Sequence, residues 1–278
     1  MSRSKIADKM IKYLEDRVNC ENILKFVDQY KKSTLGTAKE AVIQELMVDN
    51  TGVAFKVIKY NNSDSYVRKK GEMRDRNWAE NMFKIFDFTT ESNYTGFEYF
   101  PYLYGVLICH DEASKISTMN IFYEVFDGNL AELIDKIDHP SDWYDIVFQI
   151  IMINYYMNTI HGYLYYDGTP ENHLYKKLPK PYYKDYEFGG HKFRVNHKYL
   201  INMWGFNYME EITENTKERM ETNIDNLLKY LGKKNMKQLN NPPSDRILKL
   251  LNEVKNSPEN TISILNSYYN RGPVKESN

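Results

Sequence analysis

The chain has 278 residues and a formal net charge of −1, and 42% of its residues are hydrophobic. This length allows one large domain or two small ones with a substantial core, and the near-neutral charge gives no sign of a nucleic-acid or anionic-membrane partner. No run of eighteen apolar residues is present, and the first residues lack the apolar segment of a secretory signal, so the sequence predicts no membrane span and no signal peptide. The two cysteines, Cys20 and Cys109, are not a disulfide framework, and we expect a reducing, intracellular setting.

The first sixty residues predict helices followed by a β-hairpin. Apolar residues at helical spacing over 4–31 predict one or two short helices. The segments AVIQELMV and VAFKVIKY alternate as strands do, and the residues between them, 49–52, favour a tight turn. Beyond a polar stretch, RNWAENMFKIFDF has helical spacing at 78, 82, 83 and 86.

The middle of the chain predicts two more strands and then helices. YFPYLYGVLIC (99–109) and MNIFYEVF (119–126) are apolar enough for strands, and the second ends at a break that contains Gly128. LAELIDKI predicts a short helix with Asn129 as its N-cap. Residues 142–163 form the most apolar long segment and predict a buried helix.

The last third predicts a second hairpin and a helical end. Residues 176–199 are basic and aromatic and contain a Gly189-Gly190 turn, and beyond 208 the chain is helical with a polar linker near 240–244. We therefore expect an N-terminal helical extension (1–32), a β-rich lobe (33–126), a mainly helical lobe (127–265) and a tail (266–278). The predicted fold class is α+β with two lobes.

The segment YLYYDGTPENHLY, residues 163–175, places Asp167 and Asn172 on either side of a Gly-Thr-Pro-Glu turn. Asp, Gly, Pro and Asn are all common turn residues, which is one interpretation. The other is that the two side chains converge on a phosphate and a metal ion.

The order of motifs favours the second interpretation. A strand carries Val53-Ala54-Phe55-Lys56, a helix with acidic residues follows, a later strand ends in Tyr123-Glu124, and a long apolar helix leads into Asp167-x-x-x-x-Asn172. Over about residues 33–232 this order resembles the protein kinase family, and it is most similar to the compact, divergent Ser/Thr kinases of large DNA viruses. The resemblance implies a two-lobed kinase-like fold with the N-terminal helices added and a reduced C-terminal lobe.

The resemblance also implies roles for individual residues. Lys56 would hold the nucleotide phosphates, with Glu80 as its acidic partner and Glu72 as the alternative. Gly36 and Glu124 would contribute to nucleotide binding. Asp167 would accept the proton of an attacking hydroxyl, and Asn172 would hold Mg²⁺, so ATP and Mg²⁺ are the implied cofactors of an active enzyme and an inactive protein would need neither.

The sequence departs from the family pattern at three places. Gly36 is the one glycine in STLGTAKEAVI, where the family has three. Tyr165 replaces the histidine two residues before the catalytic aspartate. Met203-Trp204-Gly205 stands where D-F-G is expected, so Met203 takes the position of the aspartate that binds Mg²⁺, and a thioether is a poor ligand for that hard cation.

Other motifs are weaker. Residues 223–228 resemble the Asp-bearing helix that braces the catalytic loop, although an ordinary amphipathic helix fits equally well. The six histidines lack zinc-ligand spacing and are expected to be structural or exposed. KKLPKPYYKDYEFGGHKFR could bind nucleic acid by stacking and charge, but it also carries acidic residues, so we do not expect nucleic-acid binding.

Two hypotheses remain at the level of the sequence. We favour a pseudokinase, an interaction or regulatory module that binds a protein partner and has lost phosphoryl transfer. The alternative is an active Ser/Thr kinase that transfers the ATP γ-phosphate to protein hydroxyls. In either case we expect no membrane association, and a viral protein of this kind would act in the host cytoplasm or in the virion.

Overall fold

The computed structural model describes residues 3–38, 41–63, 88, 98–204, 209–214, 216, 222–233 and 239–269. The chain forms two compact units, Met1–Val125 and Phe126–Asn278. The helix expected at 78–86, and with it Glu80 and Glu72, lies outside the described residues, as does Gly205. None of the helices described is both long and apolar enough to span a bilayer.

The described part of unit 1 contains two helices and one antiparallel sheet. Its elements are α1 (Arg3–Glu15), α2 (Ile23–Tyr30), β1 (Lys31–Ala38), β2 (Ala41–Val48), β3 (Thr51–Asn61), β4 (Leu103–Asp111) and β5 (Ile116–Glu124). The strand order is β1-β2-β3-β5-β4, so β3 lies at the centre of the sheet. The predicted strand at 99–109 starts later, at Leu103, and it follows Pro101, which has no N–H to give to a ladder.

The β2–β3 hairpin confirms the predicted tight turn. Asp49 and Asn50 have φ values of 47° and 61°, and this left-handed pair is what a two-residue hairpin of the right twist requires. Asp and Asn tolerate the left-handed region better than other residues with a Cβ atom. The turn fixes the register that sets Lys56 opposite Ile43 on β2.

The two N-terminal helices belong to the core of unit 1. Their apolar faces pack on one face of the sheet, against Leu46, Val53 and Phe122 among others. The helical residues buried in this cluster are Ala7, Met10, Leu14, Ile23, Phe26 and Val27. The helices of the expected N-terminal extension therefore contribute to the apolar core of unit 1.

A disulfide joins Cys20, in the α1–α2 connection, to Cys109 on β4, with the two Cα atoms 5.6 Å apart. Cys20 is exposed and Cys109 is half-buried. The cysteine count did not predict this pairing, and the expectation of a reducing setting that was drawn from it loses its basis. The bond fixes the helical segment on the sheet at a second point besides the apolar core.

Unit 2 consists of a buried helix, a long hairpin and further helices. Its elements are β6 (Gly128–Asn129), α3 (Leu130–Ile134), α4 (Asp142–Tyr155), a π-helical turn (Tyr156–Ile160), β7 (Tyr163–Tyr165), a 3₁₀ turn (Pro170–Asn172), β8 (His173–Phe188), β9 (His191–Met203), β10 (Met209–Glu211), α5 (Thr222–Lys233), α6 (Asp245–Asn256), a second 3₁₀ turn (Pro258–Asn260) and α7 (Thr261–Tyr269). Two features were predicted correctly: Asn129 caps α3 by accepting from Glu132 N–H, and α4 is buried on nearly every side.

The second hairpin is confirmed and is longer than expected. β8 and β9 pair over His173–Lys177 and again over Tyr182–Phe188, with a register shift between the two parts, and Gly189 and Gly190 close the turn with φ values of 54° and 75°. Glycine adopts this left-handed backbone without the steric cost of a Cβ atom. β7 pairs with β10, and β6 adds a third strand beside β8.

A buried polar network fastens β9 to α4. The Asp145 carboxylate accepts from the backbone N–H of Lys198 (2.9 Å) and of Tyr199 (3.2 Å), and it lies 2.6 Å from Nδ1 of His197. His197 Nε2 lies 2.6 Å from the hydroxyl of Tyr186 on β8. One turn along α4, Gln149 donates to Tyr199 O and accepts from Ile201 N–H. Buried polar groups of this kind are stable because each has a partner.

Candidate functional site

Residues 165–173 of unit 2, here called the Asp167 loop, form a tight turn closed by its own hydrogen bonds. Thr169 N–H donates to Asp167 O at 2.8 Å, and Asn172 N–H donates to Thr169 O at 3.0 Å. The side-chain amide of Asn172 also donates to Asp167 O at 2.7 Å. This last bond orients Asn172 so that its amide N faces the loop, while among the described residues its carbonyl oxygen Oδ1 has no donor.

Two asparagines on α5 brace the loop. Asn223 Oδ1 accepts from Gly168 N–H at 3.1 Å, and Asn226 Nδ2 donates to Tyr166 O at 3.3 Å. At this place the sequence resembles the Asp-bearing helix of the family, with an ordinary amphipathic helix as the alternative. Asp225 instead pairs with Lys229 and Lys255, at 2.5 and 2.6 Å, and these two lysines hold the pKa of its carboxyl below the ordinary value. The two side chains that hold the loop, Asn223 and Asn226, are therefore uncharged.

Gly168 is required by the close approach of Asn223. A Cβ atom at this position would lie 2.0 Å from Asn223 Oδ1. Asn223 cannot easily move, because its own amide donates to Asn154 Oδ1 on α4 and its side chain is buried. The glycine of the motif thus serves the packing of the loop on α5.

We expect Gly168→Ala to destabilise unit 2 by about 1–3 kcal/mol, the usual cost of forcing extra atoms into a packed site. Gly232→Ala is the matched control, because a Cβ atom there meets nothing within 4 Å and alanine favours the helix. Urea unfolding of both variants measures the difference. Equal free energies of unfolding for the two variants would show that the Asn223 side chain can move aside without destabilising the unit.

Tyr165, which replaces the expected histidine, ties the loop to the end of β9. Its buried hydroxyl donates to Trp204 O at 2.8 Å, and Trp204 N–H donates to Asn172 O at 2.8 Å. Burial raises the pKa of Tyr165, and the nearby charge of Asp167 adds to this effect. The hydroxyl therefore stays protonated and remains a donor at any physiological pH.

Met203 lies at the end of β9, opposite His173 in the ladder, and its side chain is fully buried. The residue that pairs through its backbone with Asn172 is Trp204. Mg²⁺ requires hard oxygen ligands in octahedral array, and the two described residues at the end of β9, Met203 and Trp204, offer a thioether and an indole as side chains. The donor set on the β9 side therefore does not fit Mg²⁺. No cluster of three or more His, Cys, Asp or Glu side chains suited to a metal occurs among the residues that the structure describes.

His173 is buried directly beneath the loop. Its Nδ1 lies 2.9 Å from Thr169 O, so Nδ1 carries the proton, and Nε2 has no hydrogen-bond partner in the described part of the chain. Burial lowers the pKa of His173, because the imidazolium would lose its hydration, and this outweighs the opposite effect of the Thr169 contact. The folded protein holds this histidine neutral.

We expect stability to fall as the pH falls below about 6.5, the ordinary pKa of histidine. The pKa of His173 is lower in the folded chain than in the unfolded chain. Its contribution to the free energy of unfolding is therefore complete above about pH 6.5. It is lost as the pH drops toward the folded-state pKa, by at most about 1.4 kcal/mol per pH unit. His173→Leu should flatten the slope of unfolding free energy between pH 7 and 5. His191→Gln, on the hairpin turn, should keep the slope of the unmodified protein; the same slope in both variants would contradict the assignment.

Three further predicted residues, Lys56, Gly36 and Glu124, lie in the described part of unit 1. Lys56 lies in the middle of β3, between Ile43 and Ile121, and is half-buried. Gly36 lies on β1 opposite Ile43, where the register shifts. Glu124 ends β5 with a buried carboxylate that accepts from Tyr102 N–H at 2.9 Å, so this side chain is engaged within unit 1.

Sequence reasoning missed three groups that shape the loop: Asn223, His173 and the Tyr165 hydroxyl. It also missed the network of Asp145, His197 and Tyr186. One signal was present, since Asp145 and Gln149 are polar residues four apart in a mainly apolar helix and so lie on one face. Their partners could not be identified in the same way, because they lie about fifty residues further along the chain.

Comparison with known proteins gives a family and a weak structural likeness. No protein-family model matches the chain. It is 43% identical over 282 residues to "Uncharacterized protein R691" of Acanthamoeba polyphaga mimivirus, with 97% of this chain and 99% of that protein covered. The chain therefore belongs to the family of this viral protein. A crystal structure of the kinase domain of PF14_0431 superposes with a TM-score of 0.41 at 15% identity, covering 66% of this chain and about half, 52%, of that one.

Proposed function

We propose that the chain is a protein-kinase-like protein that has lost Mg²⁺-dependent phosphoryl transfer and serves as an interaction or regulatory module for a protein partner. The observation that carries the proposal is the Asp167 loop: Asn172 is held on the Asp167 carbonyl as a catalytic loop would need, while β9 ends in a buried methionine. The loop thus has the hydrogen bond between Asn172 and Asp167, but Met203 supplies no carboxylate at the position where the family has its metal-binding aspartate.

The position of Lys56 supports the kinase-like part of the proposal. In protein kinases the phosphate-binding lysine stands on the third strand, and Lys56 stands on β3 in V-A-F-K. A rigid central strand is a suitable support for a cation that must meet phosphate oxygens. Glu80 is the proposed partner of Lys56, and Gly36 and Glu124 are proposed to border the nucleotide.

The loss of transfer rests on the chemistry of the ligands. Asn172 offers an amide oxygen and Asp167 a carboxylate, but Met203 offers sulfur inside the core. Removing one preorganised charge stabiliser costs on the order of 10²–10³ in rate. The absence of two of the three family glycines weakens the cover over the phosphates further.

An active Ser/Thr kinase is the second candidate. It is favoured by the retention of Lys56, Asp167 and Asn172, and by the orientation of the Asn172 amide, which leaves Oδ1 available. In that case Asp167 would take the proton of a protein hydroxyl as it attacks the γ-phosphate of ATP.

Thermal unfolding with ATP, with and without Mg²⁺, tests the proposal. A nucleotide present at 100 times its Kd adds about 2.7 kcal/mol to the folded state, which raises the midpoint by several degrees. We expect a shift that does not require Mg²⁺, is lost in Lys56→Ala and persists in Lys59→Ala, an exposed lysine three residues along the same strand.

Transfer from radiolabelled ATP to the chain itself and to a generic protein substrate separates the two candidates. We expect no transfer. Transfer that Asp167→Asn abolishes would establish the active kinase instead. If ATP does not raise the unfolding midpoint and no phosphate is transferred, the chain has no working nucleotide site. That result would contradict the nucleotide-binding role assigned to Lys56.

A further inference from the structure

Unit 1 contains a cavity that the proposed function does not use. It lies between α1 and β4 and has a volume of about 490 Å³. Its walls are mainly apolar: Ile11, Leu14 and Val18 on the helical side, and Leu107 and Phe122 on the sheet side. A concave, largely apolar space of 300–1,000 Å³ is typical of small-molecule sites.

Gly105 opens this cavity. It lies inside β4, where a glycine weakens a strand and often marks the close approach of a ligand. A Cβ atom built on it would meet nothing within 4 Å, so neither packing nor a left-handed backbone requires glycine here. The ladder with β5 shifts register between Leu103 and Gly105, and such irregularities commonly re-aim side chains beside binding sites.

The cavity has one charged lining residue, Glu15, at the end of α1. Glu15 is exposed and has no basic partner in the part of the chain that the structure describes. A carboxylate at the rim of an apolar space complements a cation attached to an apolar body. The Cys20–Cys109 disulfide connects the segment after α1 to β4, so the two walls are held together.

We propose that the α1–β4 cavity binds a small organic cation with an apolar, ring-containing body. The body lies against Ile11, Val18 and Leu107 over Gly105, and the cationic group lies against Glu15. This site is contained in unit 1 and does not depend on the nucleotide proposal.

Two probes of one skeleton and opposite charge test the site: 4-phenylbutylamine and 4-phenylbutyrate at pH 7, with the oxidised full chain. Saturation-transfer NMR titrations give the dissociation constants. We expect saturable binding of the amine at millimolar concentration or tighter, and weaker binding of the acid by about five-fold, the upper range for one exposed charge pair. Glu15→Gln should remove this preference.

Gly105→Val narrows the cavity with a residue that favours strands and should weaken binding of the amine while leaving the fold intact. Gly232→Ala is the control and should bind as the unmodified chain does. If Gly105→Val proves unfolded, Ile11→Trp fills the space from the helical side and replaces it. Failure of the amine to saturate, equal binding of both probes, or unchanged binding in the filled variants would each overturn the proposal.

Discussion

Asp145→Ala is expected to lower the free energy of unfolding of unit 2 by about 3–5 kcal/mol, because several buried donors lose the acceptor that they share. The Asp145 carboxylate satisfies the backbone N–H groups of Lys198 and Tyr199, and it also contacts His197 and the side-chain amide of Gln149. Alanine leaves these donors buried without an acceptor, and each such group costs about 1–3 kcal/mol.

Asp185→Ala is the matched control for this substitution. Asp185 lies on β8, is 73% exposed, and contacts Arg194 at 3.5 Å across the hairpin. Exposed pairs contribute about 0–1 kcal/mol, so this variant should unfold almost as the unmodified chain does. Urea unfolding followed by far-ultraviolet circular dichroism measures both. A loss below about 1 kcal/mol for Asp145→Ala would show that the network does not hold β9 on α4.

Cys20→Ser is expected to destabilise unit 1 by about 2–5 kcal/mol. The disulfide joins residues 89 apart in the sequence, and a cross-link over so long a segment removes much of the conformational freedom of the unfolded chain. The folded state should change little, since the apolar cluster under α1 and α2 remains. We therefore expect a lower free energy of unfolding with an unchanged folded structure.

Reduction provides the control for the disulfide. With dithiothreitol present, the unmodified chain and Cys20→Ser should unfold at nearly the same urea concentration, and Cys109→Ser should match both. Mass spectrometry of the non-reduced chain should show a mass lower by two hydrogens. If the oxidised chain and Cys20→Ser have equal free energies of unfolding, the disulfide does not stabilise unit 1.

The sequence by itself determined the local elements. The Asp49-Asn50 and Gly189-Gly190 turns were predictable because each left-handed backbone pair requires residues that tolerate it, and the side chains that decide this are adjacent in the chain. Asn129 was predictable as a helix cap for the same reason. The high apolar content of residues 142–155 identified the buried helix, and the spacing of Asp167 and Asn172 predicted a loop that the structure closes through the Asn172 amide.

Only the tertiary structure decided what surrounds that loop and what holds each unit together. Asn223 supports Gly168 from 55 residues away, His197 meets Asp145 from 52, and Cys20 meets Cys109 from 89. The strand register set Met203 opposite His173 and Trp204 beside Asn172, which the inserted hairpin concealed in the sequence. Propensity and periodicity are properties of neighbouring residues, whereas the partners of buried polar groups are fixed by packing between distant segments, and that packing exists only in the folded chain.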